Sequence, residues 1–83
     1  MFDKTVVEKW LDKYTKLENF IDAGTISLKM AREILDVDRW FMYDIFKELL
    51  QSGAVTSCGN NSWRATKELK EYLKERRHAN NHS

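Results

Sequence analysis

Three side chains between residues 39 and 47 have types and a spacing that suit contact with DNA. Arg39, Tyr43 and Lys47 are each separated by four positions, so they form one row if the segment is helical. An Arg side chain can donate two hydrogen bonds to guanine, and Tyr and Lys can bind phosphate. The alternative is a solvated helix face, on which Asp44 and Glu48 pair with these cations.

Two further groups of polar residues are candidates for binding phosphate. The first group consists of Asn60, Asn61, Ser62 and Arg64. It combines neutral hydrogen-bond donors with one cation, and such groups can hold a phosphate. The second group is Ser27 and Lys29, at the start of a predicted helix, where side chains and free N–H groups attract anions. The alternatives are an ordinary polar hairpin loop and a plain helix N-cap.

The cysteine and histidine residues of this sequence do not form a pattern that is typical of a catalytic or metal site. Cys58 has no His neighbour in the sequence, and its strand-like context predicts a small buried side chain. His78 and His82 are four residues apart, but no Cys or acidic third ligand accompanies them. The sequence has no Gly-rich phosphate loop. We therefore expect a protein that is not an enzyme and that uses no metal and no cofactor.

The composition predicts one folded domain. The chain has 83 residues, of which 42% are hydrophobic, and it includes three Trp, three Tyr and four Phe. This is enough apolar material for a core. The formal net charge is +1, far from the strongly basic balance of a protein that coats nucleic acid. Any surface for nucleic acid must therefore arise from the arrangement of the charges.

The sequence also predicts a location. A single cysteine excludes a disulfide within the chain and favours a reducing compartment. The first residues, MFDKTVVEKW, contain no long apolar run of a signal peptide. No apolar stretch approaches the roughly 20 residues of a membrane span. We expect a soluble cytoplasmic protein.

Apolar periodicity predicts four helices, over 3–23, 28–35, 39–52 and 67–77. Asp3, Ser27 and Thr66 are placed to cap three of them, and either Asp36 or Asp38 can cap the third helix in chain order. Residues 25–27 are too short for more than one strand-like bridge. Residues 54–66 predict a β-hairpin, with AVTSC and WRAT as strands around the four-residue loop GNNS. The domain is expected to span 1–77, followed by a disordered tail at 78–83.

The order of these elements resembles the winged helix-turn-helix superfamily. The resemblance covers about residues 25–66, TISLKMAREILDVDRWFMYDIFKELLQSGAVTSCGNNSWRAT. Ala31 matches the small position where two helices pack closely, and Val37 matches the apolar residue of the turn. In ELLQSGAV, the pattern Leu-x-x-x-Gly-x-Val is similar to the exit from the third helix into the wing. The implied fold is mainly α with a small β-hairpin, in the order helix, short strand, helix, helix, strand, wing, strand, helix.

The resemblance also implies a function. In the superfamily the third helix enters the major groove of double-stranded DNA and the wing contacts the backbone. The chain is then expected to be a small transcriptional regulator or DNA-organising protein, and its many Lys, Asn and Ile residues hint at a phage, plasmid or bacterial source. The alternative is a winged-helix module that binds another protein and not DNA, which Asp36, Asp38, Asp44 and Glu48 would favour because phosphate repels them.

Aromatic residues suggest further contacts. Trp40 follows Arg39 directly; we expect it to pack against the first predicted helix, and the alternative is that it faces a partner. The stripe of the first predicted helix includes Trp10 and Tyr14 and is wider than one small domain needs. An exposed remainder predicts a homodimer through this helix, with the last helix as a possible contributor.

Overall fold

The computed structural model of the protein describes residues 2–80. The elements are, in chain order, α1 (Lys4–Lys13), α2 (Thr15–Phe20), β1 (Thr25–Ser27), α3 (Leu28–Leu35), α4 (Arg39–Gln51), β2 (Val55–Gly59), β3 (Ser62–Ala65) and α5 (Lys67–Asn80). The described chain is mainly helical and carries a small three-stranded antiparallel sheet. This confirms the coarse fold class that the sequence predicts.

Side-chain caps fix where the helices begin. A carboxylate or hydroxyl oxygen accepts a hydrogen bond from a first-turn N–H at Asp3, Ser27, Asp38 and Thr66. Each cap satisfies a backbone donor that the helix leaves without a partner. Of the two candidates before α4, Asp38 is the cap. Asp36 instead ends α3 in the left-handed conformation, with φ of 55°.

The first predicted helix is two helices, which corrects the prediction of one helix over 3–23. Tyr14 interrupts it with φ of −125° and ψ of 87°, outside the helical region. Its N–H still donates to the Trp10 carbonyl, and its carbonyl accepts from the Leu17 N–H. The buried positions therefore continue from α1 into α2 across the break. Periodicity in the sequence does not reveal a break of this kind, because the apolar spacing continues through it.

The sheet is larger than predicted, and its loop is shorter. β1 pairs with β3 at three positions, where the sequence predicted a single bridge, and β3 lies between β1 and β2. Gly59 pairs with Ser62 across a bulge, which leaves Asn60 and Asn61 as a two-residue loop in place of the predicted four. A bulge increases local twist and redirects the strand end. The loop is thereby placed close to the start of α3.

The core lies between the helices and the inner face of the sheet. Trp63 of β3 is 8% exposed and stacks on Phe46 of α4, with ring centroids 4.2 Å apart and planes within 3°. Gly53 follows α4 with φ of 83°, a conformation that glycine adopts without steric cost. It lets the Ala54 N–H donate to the Leu49 carbonyl at 2.9 Å. The chain then enters β2 with Ala54 and Val55 buried.

Polar contacts join α5 to the first two helices. The Tyr72 hydroxyl donates to Glu8 at 2.9 Å. Arg76 contacts Asp12 and Glu18 at 3.0 and 2.9 Å, and Arg77 contacts Asp22 at 3.2 Å. The hydrogen bond that Arg76 donates to Asp12 raises the pKa of Arg76 above its ordinary value, so this guanidinium stays charged. Burial of the ring, and then the hydrogen bond to Glu8, raise the pKa of Tyr72.

Two expectations about the last strands and the C-terminus are corrected. Cys58 is exposed, not buried, because β2 is an edge strand that leaves the core after Val55. α5 continues through Asn80, so the first residues of the predicted tail are helical. Residues 81–83, including His82, lie outside the described range. Between residues 2 and 80, no helix has both the length and the apolar character of a membrane span.

Candidate nucleic-acid interface

The polar row of the third predicted helix lies on the outer side of α4. Met42, Ile45, Phe46 and Leu49 are buried on its inner side. The opposite side therefore faces outward, and it exposes Arg39 and Lys47, with Tyr43 half-buried between them. Asp38 accepts from the Phe41 N–H at 2.9 Å, which places Arg39 in the first turn of α4. The helical geometry assumed for the row is confirmed.

The hairpin loop folds back onto α3 and α4. The Tyr43 hydroxyl donates a hydrogen bond to the side-chain oxygen of Asn61. The carbonyl oxygen of Asn61 accepts from the N–H of Leu28 at 2.8 Å. Asn61 of the loop is thus hydrogen-bonded to both helices. The loop forms one wall of a depression between them.

This depression, which we call the basic cavity, has a volume of about 280 Å³. Its walls are Ser27, Leu28, Lys29, Arg32, Arg39, Asn60, Asn61 and Ser62. Six of the residues that the sequence singled out as candidates for DNA contact meet here. The walls carry cations and neutral polar groups and no carboxylate. A site of this composition suits an anion with several oxygen atoms, such as a phosphate.

Arg32 is a wall residue that reasoning from the sequence missed. It lies three positions after Lys29 on α3, so both side chains project from the same face of the helix. That spacing was visible in the sequence. The sequence did not show that Arg39 lies beside this pair. Arg39 belongs to another helix, and it meets Lys29 and Arg32 only because α3 and α4 pack together.

Three of the predicted residues, Tyr43, Lys47 and Arg64, are not part of the walls of the basic cavity. Lys47 is exposed two turns beyond Arg39 on α4. Arg64 is exposed on β3, where it pairs with Thr25 on one side and Thr56 on the other. Trp63 points into the core, and side chains alternate along a strand, so Arg64 points outward. Both cations can add contacts to a partner that extends beyond the cavity.

The ion pairs of residues 2–80 involve other cations. They join Lys9 to Glu48, Arg76 to Asp12 and Glu18, and Arg77 to Asp22. Glu48, which could have paired with the α4 row, instead contacts Lys9 at 2.9 Å. Within this range no ion pair neutralises Lys29, Arg32 or Arg39. The basic cavity therefore keeps its positive charge in the free protein.

Trp40 does not pack against the first helix as expected. Its side chain is 72% exposed, and it contacts Tyr43 with ring centroids 6.1 Å apart. The neighbouring residue Phe41 takes the expected position, against Trp10 at 5.9 Å and Tyr14 at 6.0 Å. A rotation of about 100° separates successive residues of a helix, which is why only one of the two aromatic side chains reaches α1.

The residues predicted to form a dimer contact pack against other residues of the same chain. Trp10 is 5% exposed, and its indole N–H donates to Glu48 at 3.3 Å. Tyr14 is half-buried and stacks on Trp10, with centroids 6.2 Å apart. Val7, Leu11 and Leu17 are also buried in the core. The apolar stripe thus leaves little surface for a second copy, and the prediction of a homodimer loses its original reason.

Comparison of the chain with protein-family models, curated proteins and solved structures gave no match. The function is therefore argued from the geometry and charge of the site.

Proposed function

We propose that this chain is a winged-helix protein that binds double-stranded DNA. In this proposal α4 enters the major groove, and the hairpin of β2 and β3 is a short wing against the backbone. The element order and the pairing of β1 with β3 support the winged-helix interpretation. A single helix fits the major groove, where base edges carry the sequence code.

The basic cavity is the observation that carries this proposal. Lys29, Arg32 and Arg39 reach it from two helices, and Asn60 and Asn61 reach it from the loop. A DNA phosphate there would bind to cations that form no ion pair within residues 2–80. Phosphate contacts of this kind supply much of the affinity of DNA-binding proteins. The low net charge of +1 is compatible with the proposal because the cations are concentrated locally.

Side chains, more than helix N–H groups, bind the phosphate in this proposal. At the start of α3, the Leu28 N–H donates to Asn61 and the Met30 N–H donates to Ser27. Both backbone donors are therefore already used. Ser27 acts as an N-cap and as part of the wall, and Lys29 supplies charge beside it. Arg39 lies in the first turn of α4, where recognition helices meet bases, and also lines the basic cavity.

Substitutions on α4 and β3 test the proposal. We expect Arg39→Ala to cost about 1–3 kcal/mol on a preferred duplex and to relax its sequence preference. Lys47→Ala and Arg64→Ala should weaken binding to all duplexes similarly, since phosphate contacts carry no sequence information. Each should also lower the salt slope, which is the change of log K with the logarithm of salt concentration, by about one unit. Fluorescence anisotropy on a selected duplex and a scrambled duplex, at several salt concentrations, measures both effects.

Melting temperatures and one further variant serve as controls for these substitutions. All three side chains are exposed, so the melting temperatures of the variants should match that of the wild type. Lys74→Ala is a matched control, because it removes an exposed cation of α5 that is not part of the basic cavity. Absence of salt-dependent duplex binding by the wild-type protein at low ionic strength would refute the proposal.

A second candidate function is binding of a protein partner by the same face. The exposed indole of Trp40 beside Tyr43 favours it, because aromatic residues dominate protein interfaces. Asp36, Asp38 and Asp44 lie near this face and repel phosphate. This function becomes the leading candidate if duplex binding is absent.

The proposed cellular role follows from the DNA interaction. We propose a small transcriptional regulator or DNA-organising protein that acts in the cytoplasm, where the exposed thiol of Cys58 would stay reduced. A phage, plasmid or bacterial source fits this role.

A further inference from the structure

Trp40 is an exposed aromatic side chain that the core does not use. It is 72% exposed, whereas Trp10 and Trp63 are 5% and 8% exposed. Its only aromatic contact within residues 2–80 is with Tyr43, and its indole N–H has no hydrogen-bond partner in that range. The side chain therefore offers a flat apolar surface and one unused donor.

The surroundings of Trp40 indicate what it contacts. The ring touches Tyr43, which is hydrogen-bonded to Asn61 of the basic cavity wall. Arg39, the preceding residue, is also part of that wall. The indole thus belongs to one continuous surface with the three cations. The walls of the basic cavity carry three cations and no carboxylate, and positive charge concentrated in this way favours the phosphates of a nucleic acid.

In the major groove, one base offers both an apolar group and an acceptor side by side. Thymine presents its C5-methyl group and the neighbouring O4 acceptor there. Cytosine presents a donor in place of O4, and the purines have no methyl group. The edge of an indole ring can contact the methyl group while its N–H donates to O4. Stacking is not possible on a base that stays paired within the duplex.

We infer that Trp40 is a specificity-determining residue that recognises the methyl edge of thymine. The inference rests on the proposed function, because it requires α4 to lie in the major groove of a duplex. Arg39 and Lys47 supply charge on either side of the ring along α4. Trp40 selects duplexes with thymine at one or two fixed positions.

Replacing thymine with uracil tests this inference at the level of one methyl group. The probe is a duplex selected by the wild-type protein from a randomised pool, in which each thymine is replaced in turn by deoxyuridine. At the contacted positions we expect each missing methyl group to raise Kd about fourfold. Trp40→Ala should bind the thymine and uracil duplexes equally at those positions.

A matched control is available on the same helix. Leu50 is the other exposed large hydrophobic residue of α4, 43% exposed near its C-terminal end. Leu50→Ala should keep the full discrimination between thymine and uracil. Trp40→Phe should keep most of it, because an aromatic ring still contacts the methyl group, but it should weaken binding to both duplexes, because thymine and uracil share the O4 that loses its N–H donor. All variants should have the wild-type melting temperature, measured by circular dichroism.

Each other outcome has a distinct meaning. If no position in the selected duplex discriminates thymine from uracil, or if Trp40→Ala still discriminates, the inference is wrong while DNA binding stands. A duplex with a mispaired base is tested in parallel. Preference of the wild type for it by more than about tenfold, lost in Trp40→Ala, would show stacking on an unpaired base instead. Absence of duplex binding by the wild type would refute the proposed function together with the inference.

Discussion

At the scale of single residues, Asn61 fixes the hairpin loop. Its φ of 55° lies in the left-handed region, which Asn tolerates better than most residues. Its side chain accepts from Tyr43, and its backbone carbonyl accepts from Leu28 at 2.8 Å. The loop wall of the basic cavity depends on this one conformation.

Two substitutions at Asn61 test that conformation. Ala and Gly both remove the hydrogen-bond acceptor, but only Gly adopts a positive φ without steric cost. We expect Asn61→Ala to lower the free energy of unfolding by about 1 kcal/mol more than Asn61→Gly, measured by urea denaturation. Asn60 is the control because its φ is not positive, so Gly should bring no advantage over Ala there. Equal effects of the two substitutions at Asn61 would contradict the left-handed loop.

At the scale of elements, the attachment of α5 combines an apolar and a polar part. Leu69 and Leu73 are fully buried. Beside them, the Tyr72 hydroxyl donates to Glu8, and Arg76 contacts Asp12 and Glu18. The helix carrying these groups is thus held against α1 and α2 by bonds that depend on protonation.

The unfolding free energy should reflect the titration of Tyr72. Burial and the Glu8 carboxylate raise its pKa in the folded protein, above the value of about 10 in the unfolded chain. The stabilisation is therefore fully present below about pH 10 and is lost as pH rises through the folded pKa. Urea denaturation between about pH 8 and 11 should show a steeper decline for wild type than for Tyr72→Phe.

Glu8→Gln provides the control for that comparison. It removes the negative charge that faces the phenol but leaves the ring buried, so it should reduce the effect only in part. Parallel stability curves for wild type and Tyr72→Phe would contradict the role assigned to this contact.

At the scale of the whole molecule, the arrangement of charge matters more than its sum. The chain carries a net charge of +1. Carboxylates of α1, α2 and α4 pair with Lys9 and Arg76, and Asp22, just after α2, pairs with Arg77. The cations of the basic cavity take part in none of these pairs. A nearly neutral chain can therefore present a positive surface.

Two triple variants with the same change in net charge separate these effects. One replaces the cations of the basic cavity with Ala, at Lys29, Arg32 and Arg39. The other replaces exposed cations of α5, at Lys67, Lys70 and Lys74. We expect the first to lower the salt slope of duplex binding by about two units, one each for Lys29 and Arg32, since Arg39 is proposed to contact a base, and the second to leave it nearly unchanged. Equal losses in anisotropy titrations would show that net charge, and not its placement, governs binding.

The homodimer predicted from the sequence concerns the whole molecule and remains a prediction. Trp10 is buried in its own chain, so a dimer would need surface other than the stripe of the first predicted helix. Sedimentation at about 100 µM, well above the dissociation constants of specific dimers, measures the state directly. A mass of 9.9 kDa, that of one chain, would contradict the dimer.

The local elements of this protein are predictable from residues that lie close together in the chain. Most helices start at capping residues such as Ser27 and Asp38, and Gly53 makes the left-handed turn after α4, because capping and left-handed turns depend on residues close in sequence. The row of Arg39, Tyr43 and Lys47 followed from the helical period alone. The break at Tyr14 was not predictable, since the apolar spacing continues through it and the bend depends on packing.

Packing between distant segments sets which side chains meet. Arg32 joins Arg39 across two helices, and Asn61 reaches Tyr43 from a loop 18 residues away. The exposure of Trp40 and the burial of Phe41 depend on how α4 is rotated against α1. A helical pattern gives the face that turns inward, but the neighbour on that face is set by packing between distant segments. For that reason the row was predictable from the sequence, while the basic cavity was not.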